Sequence, residues 1–352
     1  MSFNHEPQTS ASPIPTGGEA YEIFKSYRSE VDDRFRVDPL EAEFPRLSQA
    51  LGDKGVQLAR AGDNAVETFK IRGALIAMHY ANARGVERVQ APSAGNHLLS
   101  AVLAAKIQDI SITGVIPNSA PAKKRAGARL LWDDQEKFHL QIAGTTFDEA
   151  RQYVEDHPEN GELLHPFDDP YVIRGQGTLA DDILADDNDV KHIVIPVGGG
   201  GLAAGLLQRL DELGRTDILV HAIEAKGSSS LSLSLAAGEV VAAEAPNSRF
   251  GGSAVKYVGK QTLAICQRQN DQLRIHRVTD KEVDWVTADY EQDRVDLMRE
   301  DTPNYEPTTL VAVAGLTHVL NKSSVRDVVV IGTGHNAPLW DEPKQIIQRG
   351  RI

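Results

Sequence analysis

The residues best suited to do chemistry stand in the run Thr68-Phe69-Lys70-Ile71-Arg72-Gly73-Ala74. Apolar neighbours on both sides of Lys70 strip water from its ammonium, which disfavours the charged form and lowers the pKa. A neutral amine of that kind can attack a carbonyl or act as a general base. A lysine at a helix start can equally lay its stem on apolar surface and keep its head in water. Two glycine-rich turns bear on the choice. Gly198-Gly199-Gly200-Gly201-Leu202 follows the apolar strand 192–197. Glycines let consecutive backbone amides point inward, and a helix N-terminus adds positive potential, so this turn suits a phosphate. Ser93-Ala94-Gly95-Asn96-His97 offers a hydroxyl, a carboxamide and free amides. It suits a carboxylate, although helix capping by Ser93 or Asn96 would use the same residue types.

The owner of the phosphate is open at this point. Gly199-x-Gly201-x-x-Ala204, with Glu224 lying 20 positions after Ala204, also meets the loose dinucleotide pattern of a nicotinamide enzyme. A small phosphorylated cofactor without an adenosine half fits the four glycines as well. No Lys-Ser/Thr follows them, and no Gly-x-Ser-x-Gly occurs, which removes the Walker and serine-hydrolase readings. Asp186, Asp187 and Asp189 lack a ligand spacing, so no metal is predicted. Phe167-Asp168-Asp169-Pro170 and Gly175-Gln176-Gly177-Thr178 read as capping and a crossover between domains.

The elements that must hold these turns alternate. Helices are predicted over 21–36, 43–51, 70–84, 96–106, 120–127, 147–156, 175–185, 202–213, 280–299 and 307–320. Strands are predicted over 56–58, 86–91, 110–116, 129–132, 162–164, 192–197, 219–224, 274–278 and 328–331, with an irregular insertion at 133–144 and a loop-rich stretch at 240–257. Strands alternating with helices imply an α/β fold with parallel or mixed sheets flanked by helices. The Gly198 and Thr333-Gly334-His335-Asn336 turns follow strands, and open α/β sheets bind ligands at strand C-termini.

Composition narrows the partners. The chain has 352 residues, 41% hydrophobic and 25% charged, enough for a large core. A net charge of −13 repels nucleic acid and anionic membranes, so neither is an expected partner. Cys266 is the only cysteine, the first twenty residues have no apolar core, and no run approaches a membrane span. A cytoplasmic protein with a loose arm over residues 1–20 is expected.

The ordered set of motifs from Thr68 to Asn336 resembles the threonine dehydratase/serine racemase family, pyridoxal-phosphate enzymes of the tryptophan-synthase β-subunit fold (fold type II). The resemblance covers roughly residues 38–340. It implies a large cofactor-binding domain over 21–85 plus 170–352 and a small mobile domain over 86–169. It implies that Lys70 is the Schiff-base lysine, with Phe69 packed on the pyridine ring and Asn96 bonded to the 3-hydroxyl. Gly198, Gly199, Gly200, Gly201 and Leu202 would hold the phosphate, Thr333 would meet the ring nitrogen, and Ser93, Ala94, Gly95, Asn96 and His97 would grip the substrate carboxylate. A hydroxyl at the ring nitrogen does not favour its protonation, which makes the ring a weaker electron sink and favours prompt β-elimination.

The racemase branch has a second serine where Ala94 stands, so dehydration of threonine or serine to a 2-keto acid and ammonia is expected. A 3-hydroxyaspartate or racemase-like enzyme and an inactive cofactor-binding protein are the alternatives. The nicotinamide oxidoreductase ranks last, since it leaves Lys70 and the Asn96 turn unexplained. The resemblance also implies a homodimer or homotetramer, and no regulatory domain in a chain ending at Ile352. Departures fall near the site. Ala59, Arg60, Ala61 and Gly62 replace the family's Lys-Arg-Glu-Asp, and Asn64 its Gln. Leu98, Leu99 and Ser100 replace Ala-Gln-Gly, and Thr308, Thr309 and Leu310 follow an intact Glu306-Pro307.

Overall fold

The computed structural model describes residues 13–335 apart from 53, 94, 121, 245, 247, 298–302 and 322–324. Ala94, Asn336 and residues 1–12 of the expected arm therefore lie outside the described residues. The chain begins with α1 (Gly17–Ser26), β1 (Val37–Pro39), α2 (Pro45–Ala50), β2 (Gln57–Arg60) and α3 (Ile71–Ala83). It continues through β3 (Arg88–Pro92), α4 (Asn96–Gln108), β4 (Ser111–Ile116), α5 (Ala122–Leu131), β5 (Phe138–Ile142), α6 (Phe147–Asp156) and β6 (Glu162–Leu163). There follow α7 (Pro170–Asp186), β7 (His192–Pro196), α8 (Gly201–Glu212), β8 (Leu219–Ala225), α9 (Ser230–Ala237) and α10 (Lys260–Arg268). Last come β9 (Leu273–Val278), α11 (Asp280–Leu297), α12 (Pro307–Val319) and β10 (Val328–Gly332).

Two sheets result. One has the order β1-β2-β10-β7-β8-β9, the other β5-β4-β3-β6. Every pairing is parallel except that of β1 with β2. The final strand enters the middle of the first sheet, where Val330 lies opposite both Leu58 and Val194. Parallel strands covered on both faces read as continuous apolar runs, and β10 is buried along its whole length.

Helix α3, which starts one residue after Lys70, is held by packing and by a buried ion pair. Leu75, Ile76 and Met78 are fully buried. Arg72, also buried, places Nη1 2.6 Å from Asp182 on α7 and donates to Thr178 Oγ1 at 3.2 Å. Its guanidinium lies 4.3 Å from the ring centroid of Phe24 on α1. Tyr21, also on α1, donates to the same Asp182 at 2.8 Å. Helix α7 fits between α3 and α8 because of its glycines: a Cβ at Gly175 would strike the Arg72 carbonyl, and one at Gly177 the Gly205 carbonyl.

Several elements differ from the sequence expectation. The first helix begins at Gly17, inside the stretch read as an arm, where Thr16 and Glu19 form a reciprocal capping box. The segment 129–132 is not a strand: Ala128, Leu131 and Trp132 bury one side of the α5 end, at i, i+3 and i+4. The strand is β5, inside the stretch read as an insertion. It is an edge strand whose middle and end stay partly exposed, so its apolar signal is weak. Helix α7 begins at Pro170 rather than at Gly175, because Asp169 accepts the amides of Tyr171 and Val172 at 2.8 and 3.0 Å. Helices α9 and α10 were not anticipated.

On the α11–α12 face of the first sheet, histidines form a staircase across three strands. His192 Nδ1 and His221 Nε2 share a hydrogen bond at 2.9 Å, as do His221 Nδ1 and His276 Nε2. The ring of His318 on α12 stands edge-on to His276 at 6.3 Å, and its Nε2 meets Glu282 on α11 at 2.6 Å.

Candidate active site

Lys70 occupies the N-cap position of α3. The turn before it is folded by Asn64, whose side-chain amide donates to the carbonyls of Ala61 and Thr68 at 3.2 and 3.1 Å. The Phe69 amide then donates to the Thr333 carbonyl at 2.9 Å, and Thr68 bridges to Gly334. The lysine turn and the turn after β10 are thus stitched together by backbone. Lys70 Nζ lies 5.3 Å from the Phe69 ring centroid and makes no hydrogen bond among the described residues. Burial lowers its pKa to about 8, against the charge of Glu306, which raises it.

Glu306, at the N-cap position of α12, was not anticipated as a site residue. One carboxylate oxygen accepts from Asn96 Nδ2 at 2.7 Å, and the other from Thr333 Oγ1 at 3.2 Å. It therefore joins two residues expected to meet a cofactor, each from a different sheet's connections. Thr309 completes the group, accepting the Thr333 amide at 3.0 Å and lying 3.1 Å from the Thr333 hydroxyl. The intact Glu306-Pro307 pair was the signal for this residue, but spacing alone gave it no partner.

The second turn is placed by β3 and α4. Ser93 Oγ accepts the Gly95 amide at 3.1 Å, and Asn96 is the first residue of α4. The His97 ring is buried and bonded through Nε2 to the Leu164 carbonyl at 3.0 Å. Burial, with Lys70 nearby, pushes its pKa down to about 3, so the imidazole is neutral and structural in setting.

The glycine turn joins β7 to α8. Gly200 has φ +88°, a left-handed conformation open to glycine. A Cβ at Gly198 would strike the Gly252 carbonyl, and one at Gly199 the Phe167 ring. The Gly199 carbonyl is fixed by Thr262 Oγ1 at 3.0 Å and by the Gly259 amide at 3.1 Å. The amides of Gly198, Gly199, Gly200, Gly201 and Leu202 have no protein acceptor among the described residues. Free amides at a helix N-terminus, in a cradle that excludes side chains, fit a phosphate group.

Asp168 and His165, from the segment between the sheets, support this turn. The Asp168 carboxylate accepts the amides of Lys260 and Gln261 at 2.9 Å and of Thr262 at 3.2 Å, capping α10. Both acids of the Asp168-Asp169 pair are thus helix caps. His165 Nδ1 accepts the Asp168 amide at 2.8 Å, and burial lowers its pKa to about 4. A cavity of about 390 Å³ adjoins the site through His165 and Phe167, and Arg151, Tyr257 and Lys260 also line it, but Lys70 does not.

Glu224, the acid that kept the dinucleotide reading open, is fully buried. Its two oxygens accept the amides of Leu231 and Ser232 at 2.7 and 3.1 Å, at the start of α9. It is not available to a ribose. The site instead fits a lysine-bound phosphorylated cofactor: an amine that makes no hydrogen bond among the described residues, a phosphate cradle, and hydroxyl and carboxamide groups gathered beside them.

The chain belongs to the pyridoxal-phosphate-dependent enzyme family, whose sequence model matches residues 35–334. It depends on pyridoxal 5'-phosphate and has the fold type II architecture of the threonine dehydratase and serine racemase branch. It is 34% identical over 268 residues to a biosynthetic L-threonine dehydratase of Pasteurella multocida, a match covering 74% of this chain and 49% of that protein. The chain spans about half the length of the first curated relatives it matches. The processed form of threonine deaminase isoform 2 from Solanum lycopersicum superposes with a TM-score of 0.75 at 25% identity, covering 97% of this chain and 96% of that one. The serine racemase of Dictyostelium discoideum shares the fold, with a TM-score of 0.75 at 23% identity over 93% of this chain and 100% of its own.

Proposed function

We propose that the protein is a lyase that deaminates a small hydroxy amino acid, L-threonine or L-serine: the β-hydroxyl leaves as water, water is taken back when the released enamine hydrolyses, and the net products are a 2-keto acid and ammonia. The observation that carries this reading is Lys70: a desolvated amine with its pKa lowered to about 8, without a hydrogen bond among the described residues, on a turn tied to Thr333. Pyridoxal phosphate, when bound, supplies an electron sink for charge developing at the substrate Cα. Lys70 would hold the cofactor and, when its amine is free, would take the substrate Cα proton on Nζ. The amides of Gly198 through Leu202 would hold the phosphate, Phe69 would pack on the ring, Asn96 would bond the 3-oxygen and Thr333 would meet the ring nitrogen.

Ser93, Ala94, Gly95, Asn96 and His97 bind the substrate carboxylate. Because the His97 ring is turned to Leu164, that residue contributes its backbone amide rather than its imidazole. The methyl of Ala94 has no proton to return to Cα, which supports elimination over racemisation. The curated relatives named as threonine dehydratases support the same substrate class. A homodimer or homotetramer in the cytoplasm, with residues 86–169 moving as a smaller unit, completes the reading.

The test is release of 2-keto acid from L-threonine, L-serine and 3-hydroxyaspartate by the loaded protein. One of the first two is the expected substrate. Lys70→Ala should abolish the visible absorbance of the bound cofactor and cut turnover at least about 100-fold, the scale of a lost general base. Undiminished turnover in Lys70→Ala would refute the assignment, and keto acid from 3-hydroxyaspartate alone would replace the substrate.

A further inference from the structure

His165 is a titratable group beside the site that the proposed reaction leaves unused. Its Nδ1 accepts the amides of Asp168 and Phe167, at 2.8 and 3.4 Å, and an imidazole nitrogen that accepts carries no hydrogen. Burial lowers the pKa to about 4, so at neutral pH the ring is uncharged and its one hydrogen sits on Nε2. Nε2 has no acceptor among the described residues, and the ring lines the cavity of about 390 Å³. One residue before it, the Leu164 carbonyl meets His97 Nε2 of the Ser93–His97 turn at 3.0 Å. Two residues after it, the Phe167 ring lies so close to Gly199 of the phosphate cradle that a Cβ there would strike it. His165 thus sits between the turn expected to grip the substrate carboxylate and the turn expected to hold the phosphate. The charge of Lys70 bears on the rings of both His165 and His97.

Among the described residues lining the cavity, the acids Asp148, Glu155 and Asp168 stand against the cations Arg151 and Lys260, and Arg151 is paired with Glu155. A wall with that balance does not draw a second carboxylate, and an uncharged N–H suits an uncharged oxygen. We propose that His165 is a specificity-determining residue, whose Nε2–H donates to the β-oxygen of a hydroxy amino acid held between the Ser93–His97 turn and Lys70. The inference rests on the lyase reading of the site and deepens it, since L-threonine and L-serine are then selected by their hydroxyl. The contact binds and orients that hydroxyl, and no proton leaves Nε2. A donor placed for a substrate hydroxyl also disfavours an analogue without one, because the N–H is then left unpaired.

The experiment compares kcat/KM of the holoenzyme for L-serine with that for β-chloro-L-alanine, which allows the same elimination without a β-oxygen. Pyridoxal-phosphate affinity is read beside it by fluorescence titration. His165→Asn keeps an acceptor where Nδ1 stands and removes the Nε2 donor. His165→Gln keeps a donor where Nε2 stands and removes the acceptor. His165→Asn should lower the ratio of L-serine to β-chloro-L-alanine about 10-fold, the size of one good neutral hydrogen bond, with cofactor affinity held. His165→Gln should bind the cofactor more weakly and, once saturated with it, keep the wild-type ratio. An unchanged ratio in His165→Asn, or a collapsed one in saturated His165→Gln, overturns the proposal and leaves His165 as a support of the glycine turn. If His165→Asn does not fold, His165→Gln decides alone. A wild type that consumes none of these amino acids defeats the lyase reading itself. One that consumes β-chloro-L-alanine but neither L-serine nor L-threonine defeats only this proposal.

Discussion

Replacing Gly198 by alanine drives a Cβ into the carbonyl oxygen of Gly252, a backbone atom that cannot rotate away. Overpacking of this kind costs about 1–3 kcal/mol, so the urea midpoint of Gly198→Ala should fall and its affinity for pyridoxal phosphate with it. An unchanged midpoint would mean that the 252 segment yields easily. Lys70 and Glu306 give a second residue-scale expectation. The Glu306 charge raises the pKa of the lysine, so Glu306→Gln should bring it below about 8 in the cofactor-free protein. Competitive acetylation of Lys70 across pH would read the midpoint, and a midpoint that stays or rises would contradict the electrostatic account. At this scale the turns that build the site were legible. Lysine between apolar neighbours and four glycines after a strand each carry their own physical reason. Glu306 and His165 were not, since the acid acquires meaning only through Asn96 and Thr333, and the histidine only through Asp168, which caps a distant helix.

Elements proved readable where their burial was two-sided or their caps were local. Strands β7 and β10 announce themselves as apolar runs, whereas β5, on the edge and half wet, does not. Helix α9 alternates serine and leucine, a strand-like period, and its start is capped by Glu224 from the preceding strand. Helix α10 is likewise capped from afar, by Asp168. Neither cap has the three-residue spacing of a local N-cap: Glu224 reaches across a strand end, and Asp168 comes from a remote segment. Asp168→Ala should cost about 1 kcal/mol, as lost N-caps do. Because Thr262 and Gly259 on that helix start hold the Gly199 carbonyl, it should also weaken cofactor binding. Fluorescence titration would show it, and full affinity in a destabilised variant would separate the cap from the cradle. Arg72 is the corresponding test for α3. Removing it leaves Asp182 buried with one partner fewer, at about 3–5 kcal/mol, readable as a lowered urea midpoint.

At the scale of the whole molecule, the histidine staircase makes stability depend on pH. Burial holds His192, His221 and His276 below the ordinary histidine range, and His221 falls to about 3. The charged groups facing them are Asp327 beside His192, Arg274 beside His221, and His318 with Glu282 beside His276. A base whose folded pKa is depressed binds its proton more readily when unfolded. Stability is therefore retained above the unfolded value near 6.5 and lost as pH falls below it. At pH 5 His221 alone accounts for about 2 kcal/mol. Urea midpoints at pH 8 and pH 5 should differ accordingly, and His221→Gln should shrink the difference. An equal drop in that variant would place the acid sensitivity elsewhere.

The position of β10 has a consequence for synthesis. The strand lies between β2 and β7, yet its residues are made last among the ten strands described. A chain emerging from the ribosome can pair β3 through β6 early, since residues 88–163 are contiguous and need nothing later. The other sheet must wait in two pieces, β1-β2 and β7-β8-β9, each with an open edge where β10 will go. Thr333, directly after that strand, arrives only when the pieces can join. Until then, the nascent chain carries two unpaired apolar edges, the form most exposed to capture by another chain. Ribosome-bound chains stalled before Val328 should accordingly recruit chaperone strongly, and those stalled well after residue 335 should release it.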